Sequence, residues 1–424
     1  MGTTPESPPS KPSGDTPGTG WFRELGPRGR RAFYGAFGGY GLDSYDFQVL
    51  PLSLAAITSY FALSGGEAGL LTTVTLVVSG LGGVLAGILA DRIGRVRTLM
   101  LTVAVYAVFT LLCGFAPNYE TLLVLRAFQG LGFGGEWAVG AILVAEYTSS
   151  RYRGRTVAVV QSSWAVGWAC AVLAYTLVFA LVDESLAWRV LFWTGALPGL
   201  LLLYVRRRVE DAPAAERQRR ARGGAGTLRR ILAPPHRRTT LYAALMSTGV
   251  QGGYYTLATW VPSYLKTERG LSVVGTGGYL FLLISGAFTG YLTGGHLTDR
   301  LGRRANIALF AVFSAVAIVS YTLVPEGADT LVLLLGFPLG FCTSAIFSGF
   351  GAFLSELYPT ELRGTGQGFT YNVGRAVGAV FPSLVGFLSD GWGLAGALTF
   401  GALGYALAVA ALFGLPETRG RSLT

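Results

Sequence analysis

Twelve apolar runs, each long enough to cross a bilayer, most constrain what this chain can fold into. A spanning helix needs about 20 such residues to cover a hydrocarbon core roughly 30 Å thick. In lipid, moreover, every backbone polar group must be paired within the spanning structure. The runs lie at 32–61, 66–90, 98–115, 120–147, 156–182, 188–205, 239–265, 271–297, 305–324, 329–357, 364–389 and 392–415. Only 13% of residues are charged, against about 25% in a soluble domain, and mean hydropathy is +0.49. These features exclude a disordered chain, a coiled coil and an ordinary soluble enzyme. Cys113, Cys170 and Cys342 each sit inside an apolar run without paired spacing, which excludes a disulfide scaffold. His236 and His296 are too few for a histidine-rich metal site, so neither metal nor cofactor is expected.

The net charge of +10 could suggest nucleic acid as a partner, but its distribution points elsewhere. Of 33 Lys and Arg, 28 fall in segments that twelve alternating spans place on one face. They lie in the N-terminal tail, the loops after spans 2, 4, 8 and 10, the stretch 206–238 and the C-terminal tail. The other face has only Arg189, Lys266 and Arg269, beside Glu67, Glu120, Asp183, Glu184, Glu268, Glu326, Asp329 and Asp390. Loop Lys/Arg bias sets topology. The expected arrangement is therefore a multi-pass protein of the cell (plasma) membrane with both termini cytoplasmic. Residues 1–30 read as a disordered cytoplasmic tail and 206–238 as a cytoplasmic basic linker. The bundles are expected at 31–205 and 239–415, with a second tail at 416–424.

The two halves repeat a signature. Gly87-Ile-Leu-Ala-Asp91-Arg92-Ile-Gly94-Arg95 follows span 2, and Gly295-His-Leu-Thr-Asp299-Arg300-Leu-Gly302-Arg303 follows span 8, at an offset of 208. Glu146 with Arg153-Gly154 and Glu356 with Arg363-Gly364 repeat at an offset of 210. Val96 and Ser149 depart from the second copies, which have Arg304 and Pro359. The fold class read from this is all-α and polytopic, with twelve transmembrane helices as two pseudo-symmetric six-helix bundles of parallel topology.

These residues resemble the major facilitator superfamily. Arg126-Ala-Phe-Gln129-Gly130 looks like its span-4 motif. Glu356-Leu-Tyr-Pro359-Thr-Glu-Leu-Arg363-Gly364 and Pro416-Glu417-Thr-Arg419-Gly-Arg421 are similar to its sugar, aromatic-acid and sialate or lactate importers. Asp43-Ser-Tyr-Asp46, Gly132-Phe-Gly134-Gly135-Glu136-Trp137 and Tyr371-Asn372-Val-Gly374-Arg375 together resemble the metabolite:proton symporters for organic acids. The resemblance implies alternating access. It also implies a cytoplasmic gate of charge pairs drawn from Asp91, Arg92, Arg95, Glu146, Arg153, Asp299, Arg300, Arg303, Glu356 and Arg363. The plainer reading of those ten is solvated helix ends that anchor topology.

Charges inside the hydrocarbon are costly unless they face a partner or a water-filled space. Asp43 lies about 18 Å beyond Arg31 and Arg375 about 16 Å beyond Gly364, at 1.5 Å per residue, so both sit near mid-membrane on opposite halves. Asp43 and Asp46 share a helix face, and two close carboxylates cannot both ionise cheaply. They are the candidate proton-coupling residues, with interhelical hydrogen bonding as the structural alternative. Arg375 is the candidate anchor for a carboxylate, or else half of a permanent salt bridge to either aspartate. Arg126 and Gln129, one turn apart, either contact substrate or pair with a first-half aspartate. Glu136 reads as structure or gating. Tyr45, Tyr254, Tyr255, Tyr371 and the adjacent Asn372 complete the candidate substrate-binding set, with Tyr40 nearby.

Gly130-Leu-Gly132-Phe-Gly134-Gly135 matches a dinucleotide fingerprint, but no strand precedes it. It reads as close helix packing. No catalytic constellation and no ATP-binding loop is visible. The function expected is proton-coupled uptake of a small organic anion, a carboxylate of aromatic or hydroxy-acid type, by a monomer. The alternatives are proton-linked export of drugs or metabolites, neutral sugar-type uptake and, last, a non-transporting membrane sensor or enzyme.

Overall fold

The computed structural model describes residues 22, 24–147, 153–197, 199, 227–359 and 361–419; for residues 91, 95, 136–147, 153–155, 157, 227 and 299 it describes the backbone only. Among the described residues every regular element is an α-helix. The first half holds α1 (Gly26–Phe61), α2 (Gly65–Ile93), α3 (Arg95–Cys113), α4 (Tyr119–Tyr147), α5 (Arg153–Leu181) and α6 (Glu184–Thr194). The second holds α7 (Arg237–Thr267), α8 (Val273–Leu301), α9 (Arg303–Thr322), α10 (Asp329–Glu356), α11 (Arg363–Gly378), α12 (Val380–Leu398) and α13 (Gly401–Leu412). The sixth apolar run starts in α6 and continues outside the described residues. The eleventh run is α11 with the first part of α12. At Gly393 (φ 71°, ψ 162°) the backbone leaves helical geometry and turns into the twelfth.

Among the described residues seven helical segments, α11 and α12 counted together, are long and apolar enough to cross a bilayer by length and composition alone. The 36-residue α1 and the 31-residue α7 fall outside that group although they have the length to cross. Both carry their polar residues on faces turned to other helices. Asp43, Ser44, Asp46 and Gln48 of α1 and Thr248, Gln251, Thr256 and Thr259 of α7 are all buried.

The internal repeat reappears in the backbone. Ser64 caps α2 by accepting the Glu67 N–H, and Ser272, 208 positions on, caps α8 by accepting the Gly275 N–H. Gly94 (φ 101°, ψ 159°) and Gly302 (φ 97°, ψ 158°) make the same left-handed corner after those helices. Only glycine adopts that conformation without strain. Helix contacts repeat too. A Cβ on Gly130 would lie 2.3 Å from the Thr75 carbonyl oxygen, and one on Gly340 would lie 1.9 Å from that of Leu283. The glycine run of α4 is thus helix packing, in which small residues let backbones touch.

Within the first bundle α1 packs on α5, and α4 on α2 and α3; within the second, α7 packs on α11 and α13, and α10 on α8 and α9. Across the seam α2 faces α11 and α12, α5 faces α8, and α1 faces α7. Two segments expected as linker or tail are partly ordered. A short helix, Thr227–Leu232, tucks under the second bundle, where Thr240 donates to the Ile231 carbonyl (2.8 Å). At the N-terminus α1 already begins at Gly26, and Phe22 meets Phe33 edge-to-face at 5.7 Å.

The seam is tight at one end and parted at the other. At the end opposite the termini, a Cβ on Gly65 would lie 2.4 Å from the Gly386 carbonyl and one on Gly69 2.6 Å from that of Pro382. There the Gly65 N–H donates to Asp390 (3.1 Å) and Lys266 pairs with Glu184 across the bundles. Further along, Gly83 still touches the Asn372 side chain. Beyond it the same faces carry Gly87 on α2 and Gly368 and Gly364 on α11, and among the described residues nothing stands within 4 Å of where their Cβ atoms would be. On the other seam Gly295 of α8 remains in van der Waals contact with Ala158 of α5, 3.7 Å from its would-be Cβ. The bundles therefore part between α2 and α11, on the side of the termini.

Candidate functional site

Helical spacing assembles the site. On α4, Arg126, Gln129 and Phe133 lie on one face, each a turn beyond the last. On α1, Tyr40, Asp43 and Phe47 do the same, and Asp46 sits beside them. All except Tyr40 are buried.

The first layer belongs to the first bundle. Gln129 Nε2 donates to Asp46 Oδ2 (2.5 Å) and to Thr110 Oγ1 (2.6 Å), and Arg126 Nη1 donates to Gln129 Oε1 (2.5 Å). One amide thus bridges carboxylate and guanidinium. Among the described residues Asp46 Oδ1 and Arg126 Nε have no hydrogen-bond partner. Buried polar atoms are costly in that state, by roughly 1–3 kcal/mol each, so this cluster has donor and acceptor capacity to spare.

The second layer spans the seam and is aromatic. Phe47 stacks on Phe133 (5.5 Å) and meets Tyr255 of the second bundle (5.9 Å). Trp164 of α5 lies against Tyr40 (5.2 Å), and its indole N–H donates to the Tyr254 hydroxyl (2.6 Å). Tyr291 of α8 is buried in the same cluster, and Phe347 of α10 packs on it. Arg375 enters this layer from α11. Its guanidinium carbon sits 5.0 Å from the centroid of the Tyr371 ring and 5.2 Å from that of Phe133. Nη2 donates to the Tyr371 hydroxyl (3.2 Å), while among the described residues Nε and Nη1 have no hydrogen-bond partner. Asp43 lies within electrostatic reach of Arg375 and of Tyr255. Rings offset part of the cost of a buried cation, up to about 2 kcal/mol each, but they leave its edge donors unused. The arrangement can accept a carboxylate in the ring plane of the fork and a flat apolar body among the aromatics.

The other candidates fall in different places. Tyr45 turns to α6, where its hydroxyl bonds Thr194 (2.6 Å). Five residues from Tyr40, it is about 140° away around α1. Asn372 packs against Gly83 across the seam and donates to the Gly368 carbonyl (2.9 Å). Side chains of Asp91, Arg95, Glu136, Glu146, Arg153 and Asp299 lie outside the described residues. Arg92 and Arg300 are exposed. Sequence reasoning missed Phe47, Thr110, Phe133, Trp164, Tyr291 and Phe347. The signal for Phe47 and Phe133 was their position one turn beyond Asp43 and Gln129.

At the end bearing the termini, Arg303 and Glu356 form an ion pair (3.3 Å) within the second bundle. The C-terminal segment docks on it: Thr418 Oγ1 donates to Glu356 (2.6 Å), and Glu417 accepts the N–H groups of Arg303 (3.0 Å) and Arg304 (3.1 Å). Arg363 donates to the Ser355 carbonyl (3.2 Å). Burial pushes the Glu417 carboxyl up, but the backbone N–H groups of Arg419, Thr418, Arg303 and Arg304 outweigh it and hold the group below its ordinary 4.5. A lowered native pKa stabilises the docked segment above the unfolded value and is lost as pH falls through the native one. Amide exchange of Arg303, Arg304 and Thr418 should therefore stay protected at pH 7 and speed up below about pH 4.5, relative to intrinsic rates. Glu417→Gln should show the fast exchange already at pH 7.

A chain of two parallel six-helix bundles, with a charged and aromatic site on the seam at mid-depth, is a multi-pass membrane transporter in architecture. It belongs to the Major Facilitator Superfamily, whose family model matches residues 36–382. It is 42% identical over 404 residues to a probable 4-methylmuconolactone transporter of Cupriavidus pinatubonensis, covering 94% of this chain and 93% of that one. It is 31% identical to a cis,cis-muconate transport protein of Acinetobacter baylyi, covering 85% of this chain and 87% of that one. Among solved structures, the xylose transporter XylE of E. coli in a partially occluded inward open conformation superposes with a TM-score of 0.75. The identity is 18%, over 93% of this chain and all of that one (100%).

Proposed function

We propose that this protein is a proton-coupled importer of a small organic anion, a carboxylate on a flat, conjugated or aromatic body, working by alternating access. The observation that carries this reading is Arg375. It is a buried guanidinium flanked by two rings, with two nitrogens lacking hydrogen-bond partners, set across the seam from Asp43 and Asp46. The names of the relatives support the substrate class, since they include transporters of muconate, niacin and 3-(3-hydroxy-phenyl)propionate. The Lys/Arg bias supports a plasma-membrane orientation with both termini in the cytoplasm. The parted end of the seam then faces the cytoplasm. We take the working unit to be the monomer.

In this mechanism a proton taken up by the aspartate pair and an anion held by Arg375 neutralise the charges that make rocking of the bundles costly. Both ligands then leave through the end where α2 and α11 separate. A monocarboxylate travelling with one proton carries no net charge across the membrane; a dicarboxylate needs two.

The test is uptake of radiolabelled cis,cis-muconate, nicotinate and benzoate into reconstituted vesicles, with and without a protonophore, beside xylose as a neutral solute. At least one carboxylate should accumulate and the protonophore should abolish the accumulation. Accumulation of xylose alone, or of a carboxylate indifferent to the protonophore, would overturn the reading.

A further inference from the structure

The sequence piece Gly132-Phe133-Gly134-Gly135 does more than pack helices. We infer that Phe133 is a positioning residue for anion recognition: it fixes the plane of the Arg375 guanidinium from the opposite bundle, and only in the conformation seen here. The inference rests on the reading of Arg375 as the anion anchor.

Three observations carry it. First, Phe133 is held with little freedom. A Cβ on Gly132 would lie 2.6 Å from the Tyr106 nitrogen of α3, and one on Gly134 1.8 Å from the Ser79 carbonyl of α2. The backbone on both sides of Phe133 is therefore wedged between two helices. Its ring is stacked on Phe47 and edge-on to Trp164 at 6.4 Å. Second, the ring is buried, and it is the first-bundle aromatic over which the guanidinium lies, 5.2 Å from its centroid. A ring this close to the guanidinium carbon restrains rotation about the last side-chain bonds, while Nε and Nη1, without a hydrogen-bond partner among the described residues, remain for a carboxylate. Third, the two partners are on different rigid bodies. Phe133 moves with α2 and α3, which its flanking glycines touch. Arg375 moves with α7, because a Cβ on Gly374 would lie 2.3 Å from Ser247 Cβ. Any rocking of the bundles must change the contact between them.

The consequence is an affinity that depends on conformation. With Phe133 in place the fork is pre-aimed and the anion meets an ordered site. When the bundles rock, the ring leaves the guanidinium and the fork loses that restraint. Substrate would thus bind with different strength on the two sides, through a residue that need not touch its carboxylate.

The experiment compares Phe133→Leu, Phe133→Tyr and Arg375→Ala in vesicles, using cis,cis-muconate and nicotinate as probes, with KM measured from each side of the membrane. A single cation–ring contact corresponds to roughly 2- to 30-fold in affinity. Phe133→Leu should raise KM by about tenfold on the side bearing the termini, leave it within twofold on the other, and keep Vmax within twofold. Phe133→Tyr should keep wild-type KM on both sides. Equal effects on the two sides, an unchanged KM in Phe133→Leu, or loss of Vmax in both Phe133 variants would overturn the inference. Arg375→Ala separates the two levels. If it raises KM while Phe133→Leu does not, the anchor stands and the positioning role fails. If it leaves KM unchanged, the anchor reading itself has failed.

Discussion

Arg375→Ala should abolish high-affinity transport of the anion, with KM rising about 100-fold or more, while the protein still folds. Truncating one member of a buried charge-assisted pair costs about 2–5 kcal/mol, and tenfold in affinity is about 1.4 kcal/mol. The native geometry argues that most of this loss will appear in binding. Arg375 Nη2 donates to the Tyr371 hydroxyl, and Nε and Nη1 have no hydrogen-bond partner among the described residues. The Tyr371 hydroxyl lies one turn away on the same helix, so losing that bond unties no neighbouring helix. Ligand-induced thermal stabilisation separates the two roles. Wild type should gain melting temperature with saturating cis,cis-muconate or nicotinate, because a ligand that binds only the native state stabilises it. Arg375→Ala should gain none, while its ligand-free melting temperature stays near wild type. Arg375→Lys should recover little, because a point charge has neither the planar fork nor the flat face that Tyr371 and Phe133 flank. An Ala variant with wild-type KM would remove the anchor role, and a ligand-free melting temperature lowered by many degrees would make Arg375 structural.

The charges of this site were legible in the sequence because charges in hydrocarbon are rare and need a reason. Asp43, Asp46, Arg126 and Arg375 stood out against apolar runs, and mid-depth followed from counting 1.5 Å per residue. The aromatic partners were not legible in the same way. The chain has 25 Phe, 20 Tyr and 8 Trp, most inside apolar runs, and a ring that lines a site looks in sequence like one that faces lipid. Phe133 and Trp164 were hidden for that reason. Tyr45 shares a candidate cavity helix with Tyr40, but at about 140° around it the side chain belongs to another face. The internal repeat was legible to the level of backbone angles, since Gly94 and Gly302 have to make the same corner. The parting of α2 from α11 was not, because a sequence encodes both end states of a rocking protein and names neither. The docking of Glu417 on Arg303 and Arg304 links residues more than 110 positions apart, beyond any local pattern.

Asp46→Asn should uncouple the transporter: accumulation driven by a pH gradient falls to equilibration, while exchange of labelled for unlabelled anion continues. For a monocarboxylate such as nicotinate, carried with one proton, a gradient of one pH unit sustains about tenfold accumulation, so wild type should approach ten and the variant one. Asparagine can still accept the Gln129 N–H that Asp46 Oδ2 accepts at 2.5 Å, so the bridge from Asp46 through Gln129 to Arg126 survives the substitution. What is lost is the second oxygen, Oδ1, which has no hydrogen-bond partner and can take a proton without breaking a bond. The bridge also gives the proton a mechanical consequence. A charged Asp46 holds Gln129, and through it Arg126, inside the first bundle. A neutral one weakens that hold and lowers the charge separation that the bundles must carry when they rock. Asp43 reaches Arg375 electrostatically, so Asp43→Asn should chiefly change anion affinity and leave the accumulation ratio near wild type. If accumulation survives in Asp46→Asn and fails in Asp43→Asn, the proton sits one turn earlier than assigned here. If both variants accumulate fully, the aspartates are interhelical hydrogen-bonding groups and the driving ion enters elsewhere.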